Sequence, residues 1–175
     1  MSIPGFSAAG LAIDPIAPDD IPAFMEMLGE MAEFLHGSHN FVTTPEELNS
    51  VLFSTPPKME AIIGRIEGQA AGFVTFFENY KVFSGRRCMR IDYLYVRPAF
   101  RTRPLAIAMM VYLLRVARAR GYRYLEGEVL DWNLPARKMY EAFNAQEVPS
   151  RNLSLDLTTV DWSLFGRQAP ATESG

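Results

Sequence analysis

The chain has 175 residues, of which 49% are hydrophobic, and this is enough for one domain with a sizeable core. We therefore expect a single domain over residues 1–175, with residues 1–9 and 167–175 as loose tails. The formal net charge of −3 excludes the clear basic excess that binding to nucleic acid phosphates requires.

The expected location is the cytoplasm, without a membrane partner. The first ten residues, MSIPGFSAAG, contain neither the basic segment nor the apolar segment of a signal peptide. No apolar run approaches the length of a membrane span. The single cysteine, Cys88, excludes an intrachain disulfide, and a lone cysteine in a strand is more often inert than nucleophilic.

Two helices are predicted in the first third of the chain. The first follows Asp19 and Asp20, which are candidate N-caps, and Gly37 is expected to end it. Its apolar side chains recur at steps of three and four: Ile21, Phe24, Met25, Leu28, Met31, Ala32 and Leu35. The second helix begins at Thr44-Pro45-Glu46-Glu47, whose first and last residues form a capping box.

Three consecutive strands are predicted next, over Met59–Ile66, Ala70–Phe77 and Met89–Val96. Turns are expected at Gly68-Gln69 and at Ser84-Gly85. The middle strand is apolar on both faces, so it is expected to be central in the sheet with helices covering it.

The second half continues the alternation of helices and strands. The predicted helices are Pro104–Arg120, closed by Gly121, and Pro135–Phe143, closed by Asn144 in a left-handed conformation. The predicted strands are Tyr122–Leu130 and Asn152–Leu157, followed by a helical piece at Val160–Phe165. This order predicts a mixed α/β or α+β fold with helices on both faces of the sheet.

The first candidate site is a strand that runs through an arginine-rich loop into a helix. Residues 91–106 read IDYLYVRPAFRTRPLA. The first turn of a helix has unpaired N–H groups and a partial positive charge, and Arg101 and Arg103 add full charges, so the segment can bind an anion. Solvated arginines in an ordinary strand–loop–helix connection are the alternative at this point.

The same segment resembles the pyrophosphate-binding loop of the GNAT N-acetyltransferases. A second segment, residues 129–145 (VLDWNLPARKMYEAFNA), resembles the strand-to-helix motif that follows in that family, and it is most similar to the diamine (spermidine/spermine-type) branch. The resemblance covers about residues 10–165. It implies a mixed, mostly antiparallel sheet of six to seven strands, a homodimer, and acetyl transfer from acetyl-CoA to a primary amine of a small molecule.

The resemblance also implies roles for individual residues. Tyr140 would protonate the departing thiolate, and Asn133 would cap its helix and bind the cofactor arm; a core tyrosine is the alternative for Tyr140. The residues implied for acetyl-CoA binding are Leu94, Tyr95, Val96, Arg101, Thr102, Arg103, Pro104, Leu105, Ala106, Ile107, Asn133, Pro135 and Ala136.

Three carboxylates are candidates for the amine substrate. Asp92 stands where the branch typically has Glu, and it could bind the ammonium or take its proton. Glu126 and Glu128 alternate with Gly127, so in a strand their side chains would share one face, although either could simply be solvated. A metal site is not expected, since His36 and His39 have no third ligand nearby.

Two positions depart from the family pattern, since Thr102 also replaces a common glycine, and the change at Pro104 matters more. Pro104 replaces a loop glycine and has no N–H to offer a phosphate oxygen, although proline suits the first position of a helix. An alternative function therefore stays open, in which the domain binds acyl-CoA or a protein partner without turnover.

Overall fold

The computed structural model describes residues 5–8, 10–101, 104–149 and 157–159. The chain divides into two compact units, Met1–Met139 and Tyr140–Gly175. The predicted strand Asn152–Leu157, the helical piece Val160–Phe165 and the tail 167–175 lie almost wholly outside the described residues. Within the described ranges, only a 3-10 turn at Leu157–Thr159 represents that region.

The first unit contains a six-stranded sheet with the order β1-β2-β3-β4-β5-β6 among the residues described. Its strands are β1 (Phe6–Ala8), β2 (Leu11–Pro15), β3 (Glu60–Ile66), β4 (Gln69–Lys81), β5 (Arg86–Val96) and β6 (Tyr124–Glu126). Neighbours pair antiparallel except β5 and β6, which are parallel. The predicted mixed, mostly antiparallel sheet of six to seven strands is confirmed.

Helices cover both faces of this sheet, as predicted. α1 (Ile21–Phe34) and α2 (Pro45–Leu52) lie on one face and α3 (Leu105–Ala119) on the other, while α4 (Leu134–Ala142) runs from the first unit into the second. On one face, Phe24 of α1 packs edge-on against Phe73 of β4, with ring centroids 4.9 Å apart. On the other face, a Cβ on Gly64 would lie 2.7 Å from Leu105 Cδ1 and 3.0 Å from Met109 Sδ, so the glycine lets α3 approach β3 closely. None of the helices in the described ranges is long and apolar enough to span a membrane.

Most helix ends follow the sequence signals, and two do not. The capping box at Thr44 is present, since its Oγ1 accepts from the Glu47 N–H and Glu47 accepts from the Thr44 N–H. Asp20, by contrast, has a helical backbone, so its carboxylate accepts from the Ala17 N–H and from Arg65 instead of capping α1. At the other end of α1, His36 rather than Gly37 is left-handed, with φ of 56°.

Several strand boundaries also differ from the predictions. The β3–β4 turn is at Glu67-Gly68, both with positive φ, because Gln69 already pairs with Ile66; the prediction was one residue late. Part of the expected N-terminal tail forms β1, which the short apolar run did not indicate. The strand predicted over Tyr122–Leu130 is ordered as β6 for only three residues.

Candidate active site

A β-bulge in β5 determines where Asp92 is placed. Thr75 of β4 pairs with Tyr93 and Phe76 pairs with Ile91, so Asp92 is an additional residue without a partner on β4. The Tyr93 N–H donates to Thr75 Oγ1 at 3.1 Å. Such a bulge re-aims side chains locally, and here Asp92 and Tyr93 are exposed between the buried residues Ile91 and Tyr95.

Beyond the bulge, one edge of β5 is open in the described part of the chain. The parallel pairing with β6 stops at Arg90 and Glu126. The Arg97 N–H donates to the Ala71 carbonyl of β4, so the backbone N–H and C=O groups of every second residue before Arg97 also face β4. Alternation then directs the N–H and C=O groups of Leu94 and Val96 away from β4, towards the open edge. Tyr95 differs from the prediction, because its backbone faces β4 and cannot line this edge.

The open edge leads directly to the start of α3. Pro104 is the N-cap of α3 rather than its first residue, so the helix begins at Leu105. The N–H groups of Leu105, Ala106 and Ile107 come before the first intrahelical bond, from Ala108 N–H to the Pro104 carbonyl, and therefore remain as anion donors. The missing N–H of Pro104 does not remove any of these three donors. Thr102 and Arg103 lie outside the described residues.

Arg101 and Trp132 meet on the ring of Phe34, the last residue of α1. The Arg101 guanidinium lies 4.6 Å from the Phe34 centroid, and its Nε donates to the Val96 carbonyl at 3.0 Å. Trp132 packs on the same ring with centroids 5.4 Å apart. The segment before α4 is thereby tied to the open end of β5, a long-range contact that the sequence did not indicate.

Asn133 is the N-cap of α4, as predicted. Its Oδ1 accepts from the Ala136 N–H at 3.3 Å, and its carbonyl accepts from the Arg137 N–H. Pro135 and Ala136 form the first turn of the helix, with Pro135 exposed and Ala136 partly buried. Asn133 therefore holds its side chain at a helix start on the Trp132 side of the site.

Tyr140 lies near the other end of α4, in the second unit. Burial raises the pKa of its hydroxyl, which keeps Tyr140 protonated at neutral pH. The left-handed cap predicted at Asn144 is present, with φ of 58°.

The three candidate carboxylates are not equivalent. Glu126 is the last residue of β6 and forms an ion pair with Lys81, while Glu128 lies beyond the strand and forms an ion pair with Arg90. The expectation that both lie on one strand face is therefore wrong, because β6 ends too early. Neither is simply solvated, and the sequence did not indicate their basic partners, which lie on β4 and β5.

Asp92 has a pKa above its ordinary value. Desolvation by the surrounding protein is the main cause, the nearby Glu128 charge adds to it, and Arg90 opposes it. Tyr93 has a raised pKa through burial and the charges of Asp92 and Glu128. These shifts indicate that Asp92, Tyr93 and Glu128 share one electrostatic neighbourhood.

Two other features bear on what the site can do. Arg97 is bonded to Glu26, Glu30 and the Ala70 carbonyl, and Tyr95 donates to Glu30, so both side chains are structural. Cys88 is fully buried and its pKa is raised to about 11, mainly by desolvation and by the Glu126 carboxylate. The cysteine is therefore not a nucleophile, as expected.

These features fit an acyl-CoA molecule on physical grounds. The open edge at Leu94 and Val96 can pair with an amide-containing arm, and the start of α3 offers N–H donors to phosphates. The bulge brings Asp92 to the far end of that same edge. Among the residues described there is no cluster of three metal-ligating side chains.

Comparison with known proteins agrees with this geometry. Residues 22–145 match the acetyltransferase (GNAT) family. Thialysine N-epsilon-acetyltransferase of Caenorhabditis elegans is 31% identical over 126 residues, covering 72% of this chain and 77% of that protein. L-ornithine N5-acetyltransferase of Arabidopsis thaliana is 23% identical, with 74% of this chain and 76% of that protein covered.

A solved structure supports the fold alone. Ribosomal-protein-alanine N-acetyltransferase from Brucella melitensis biovar Abortus superimposes with a TM-score of 0.69 at 23% identity, over 83% of this chain and 99% of that one. GNAT acetyltransferases use acetyl-CoA as cosubstrate, which is the class of molecule that the open edge and helix start fit. Since the family match spans most of the sequence and a relative above 30% identity is covered over most of its length, the chain belongs to the GNAT acetyltransferase family and is an acetyltransferase that acts on amines.

Proposed function

We propose that this enzyme transfers the acetyl group of acetyl-CoA to a primary amine of a small, amino-acid-like molecule, by direct attack in a ternary complex. The observation that carries the proposal is the bulge, which leaves Asp92 unpaired and exposed where the open edge of β5 begins. The names of the relatives support an acceptor with a side-chain amine, since they refer to thialysine and to ornithine.

Acetyl-CoA, the acetyl donor, is proposed to be bound by backbone groups more than by side chains. Leu94 and Val96 bond the amide-bearing arm, and the N–H groups of Leu105–Ile107 bind the pyrophosphate. Asn133 adds a side-chain contact from the start of α4. Arg101 contributes positive charge while its Nε remains bonded to the Val96 carbonyl.

The acceptor amine must be neutral to attack, and two residues are proposed to move protons. Acetyl-CoA, when bound, supplies the activated acetyl group. As the C–N bond forms and the C–S bond breaks, the nitrogen loses a proton to Asp92, directly or through water, and the sulfur receives the proton of the Tyr140 hydroxyl. Tyr140 follows Asn133 by seven residues, a spacing that puts both on one face of a helix. The raised pKa of Asp92 suits its role because it makes the carboxylate a stronger base, while the Tyr140 hydroxyl is protonated at neutral pH and has a proton to donate.

The direct test is an acetylation assay with purified protein. Acetyl-CoA is incubated with L-ornithine, thialysine, 1,4-diaminobutane and a peptide amine, free thiol release is measured, and mass spectrometry locates the acetyl group. The proposal expects a singly acetylated product on the side-chain amine. Release of thiol without any acetylated small amine, or product only on the peptide, would overturn it.

We further propose a cytoplasmic homodimer. A buried, unpaired Cys88 thiol is compatible with a reducing compartment. The β4–β5 hairpin tip exposes the adjacent apolar residues Val82 and Phe83, at 84% and 106% of their full accessible surface, and we propose that they contact a second copy of the chain. Sedimentation of the native enzyme, with Phe83→Asp as comparison, tests the dimer: a monomer in the unmodified protein would refute it.

A further inference from the structure

The part of the site proposed to bind the acceptor amine, around Asp92, contains cationic side chains as well as carboxylates. In the β4–β5 register, Arg90 stands opposite Phe77 and Tyr95 stands opposite Phe73, and Phe77 and Phe73 lie on one face of β4. Arg90 therefore points to the same sheet face as Tyr95, the face that α1 covers. Glu126 stands directly opposite Arg90 in the parallel ladder and shares this face. Asp92 is two positions further along β5, roughly 6–7 Å away along the strand.

The charges around Arg90 nearly cancel. Asp92, Glu126 and Glu128 supply three carboxylates, while Arg90 bonds Glu128 and Lys81 bonds Glu126. An acceptor with several ammonium groups and no negative charge would gain little here, since two of the three carboxylates are already compensated. An amino acid presents its ammonium and carboxylate side by side, which complements an adjacent carboxylate and guanidinium.

We infer that Arg90 is a specificity-determining residue that binds the α-carboxylate of the acceptor, so that the enzyme selects diamino acids over polyamines. The inference rests on the proposed function and names the substrate class of the same site. Arg90 bonds Glu128 through Nη2 and keeps about a third of its side chain exposed. A guanidinium has five donors in a planar fork, so the Nη1 N–H groups can donate to a second carboxylate while Nη2 keeps the ion pair with Glu128.

The position of Arg90 also matches the reach of such a substrate. With the α-carboxylate at Arg90, an extended side chain spans the distance along β5 to Asp92, where the reacting amine loses its proton. The α-ammonium then faces Glu128, which is half exposed. The α-carboxylate and the α-ammonium of the acceptor then each meet an opposite charge.

The test compares two acceptors that differ only in the carboxylate, L-ornithine and 1,4-diaminobutane. The native enzyme is expected to prefer ornithine in kcat/KM. Arg90→Gln should reduce this preference about tenfold to a hundredfold, mainly through the KM of ornithine, because one charge-assisted pair is lost. Arg90→Lys, which keeps the charge but not the fork, should recover part of the preference. Arg115→Gln, an exposed arginine on α3, is the matched control and should leave it unchanged.

The outcomes separate the inference from the proposed function. Equal or better use of 1,4-diaminobutane by the native enzyme overturns the inference and leaves the proposed acetylation of small amines intact. A preference that survives Arg90→Gln in a folded protein also overturns it, since another residue must then read the carboxylate. If neither acceptor is acetylated while acetyl-CoA still binds, the proposed function itself fails. If Arg90→Gln does not fold, the inference is tested by the kcat/KM ratio of ornithine to 1,4-diaminobutane in the native enzyme and in Arg90→Lys.

Discussion

Replacing Gly72 with alanine should damage both the sheet and the site. Gly72 lies in β4 opposite Val96, and a Cβ there would be 2.5 Å from the Tyr95 carbonyl oxygen and 3.3 Å from Met109 Cε. A carbon and a carbonyl oxygen approach comfortably only to about 3.3 Å, so β5 must move by about 0.8 Å. Tyr95 is the residue between Leu94 and Val96, so the open edge moves with it.

The expected loss of stability is moderate. Overpacking costs about 1–3 kcal/mol, and alanine offsets about 0.4–1 kcal/mol by restricting the unfolded chain. A net destabilisation of about 1–2 kcal/mol corresponds to a fall in Tm of about 2–8 °C for a chain of this size. A displacement near 1 Å at a site can cost up to about a hundredfold in rate, so kcat/KM for acetyl-CoA should fall at least about tenfold.

Thermal and urea unfolding, with steady-state kinetics on the same samples, measure both effects. Gly29→Ala is the matched control: its Cβ meets only Phe41, at an ordinary 3.7 Å, and α1 should gain about 0.5–1 kcal/mol. Unchanged or increased stability in Gly72→Ala would refute the close approach of β4 and β5. A stability loss with an unchanged KM for acetyl-CoA would refute the role of the β5 edge.

Three further predictions concern the chemistry. Tyr140→Phe should lower kcat at least about tenfold with little change in the KM of acetyl-CoA, since only the acid is lost; an unchanged kcat would remove Tyr140 from the mechanism. Pro104→Gly should tighten acetyl-CoA binding, measured by calorimetry, because it adds an N–H at the start of α3. An unchanged affinity would contradict this and show that Leu105–Ile107 already satisfy the phosphates. Asp92→Asn should abolish the acidic limb of the kcat/KM profile, which the raised pKa places above the ordinary value of 3.8. The raised pKa means that the folded state binds the proton of Asp92 more tightly than the unfolded chain does. The free energy of unfolding therefore falls as pH rises from 3.8 through the folded pKa. Asp92→Asn should accordingly not destabilise the protein at pH 7.

Local signals in the sequence predicted the parts of the structure that local physics decides. The capping box at Thr44, the left-handed Asn144 and the Asn133 cap each depend on residues within four positions. The two motifs at residues 91–106 and 129–145 predicted the strand edge and helix start that form the donor side. At the end of α1, the left-handed residue is His36 and not the predicted Gly37. This difference shows the limit of such signals, since either residue can end the same helix.

The acceptor side could not be predicted in the same way. The ion pairs of Glu126 and Glu128 join residues far apart in sequence, and charge spacing along one segment does not contain them. The meeting of Arg101 and Trp132 on Phe34 likewise depends on how three elements pack. The bulge is only weakly indicated along the chain, by the two consecutive exposed residues Asp92 and Tyr93 in the apolar part of β5. Only the pairing with β4 identifies Asp92 as the additional residue.

The bulge has a consequence for how this activity can be lost in evolution. Removing Asp92 from the chain would make Ile91 and Tyr93 neighbours, and these already pair with the neighbouring residues Phe76 and Thr75. The deletion would therefore restore a regular ladder without turning any other side chain to the opposite face. A single-codon deletion would thus leave the sheet, the open edge of β5 and the start of α3 in place and remove only the proposed base, which is a short route from an acetyltransferase to an acyl-CoA-binding protein.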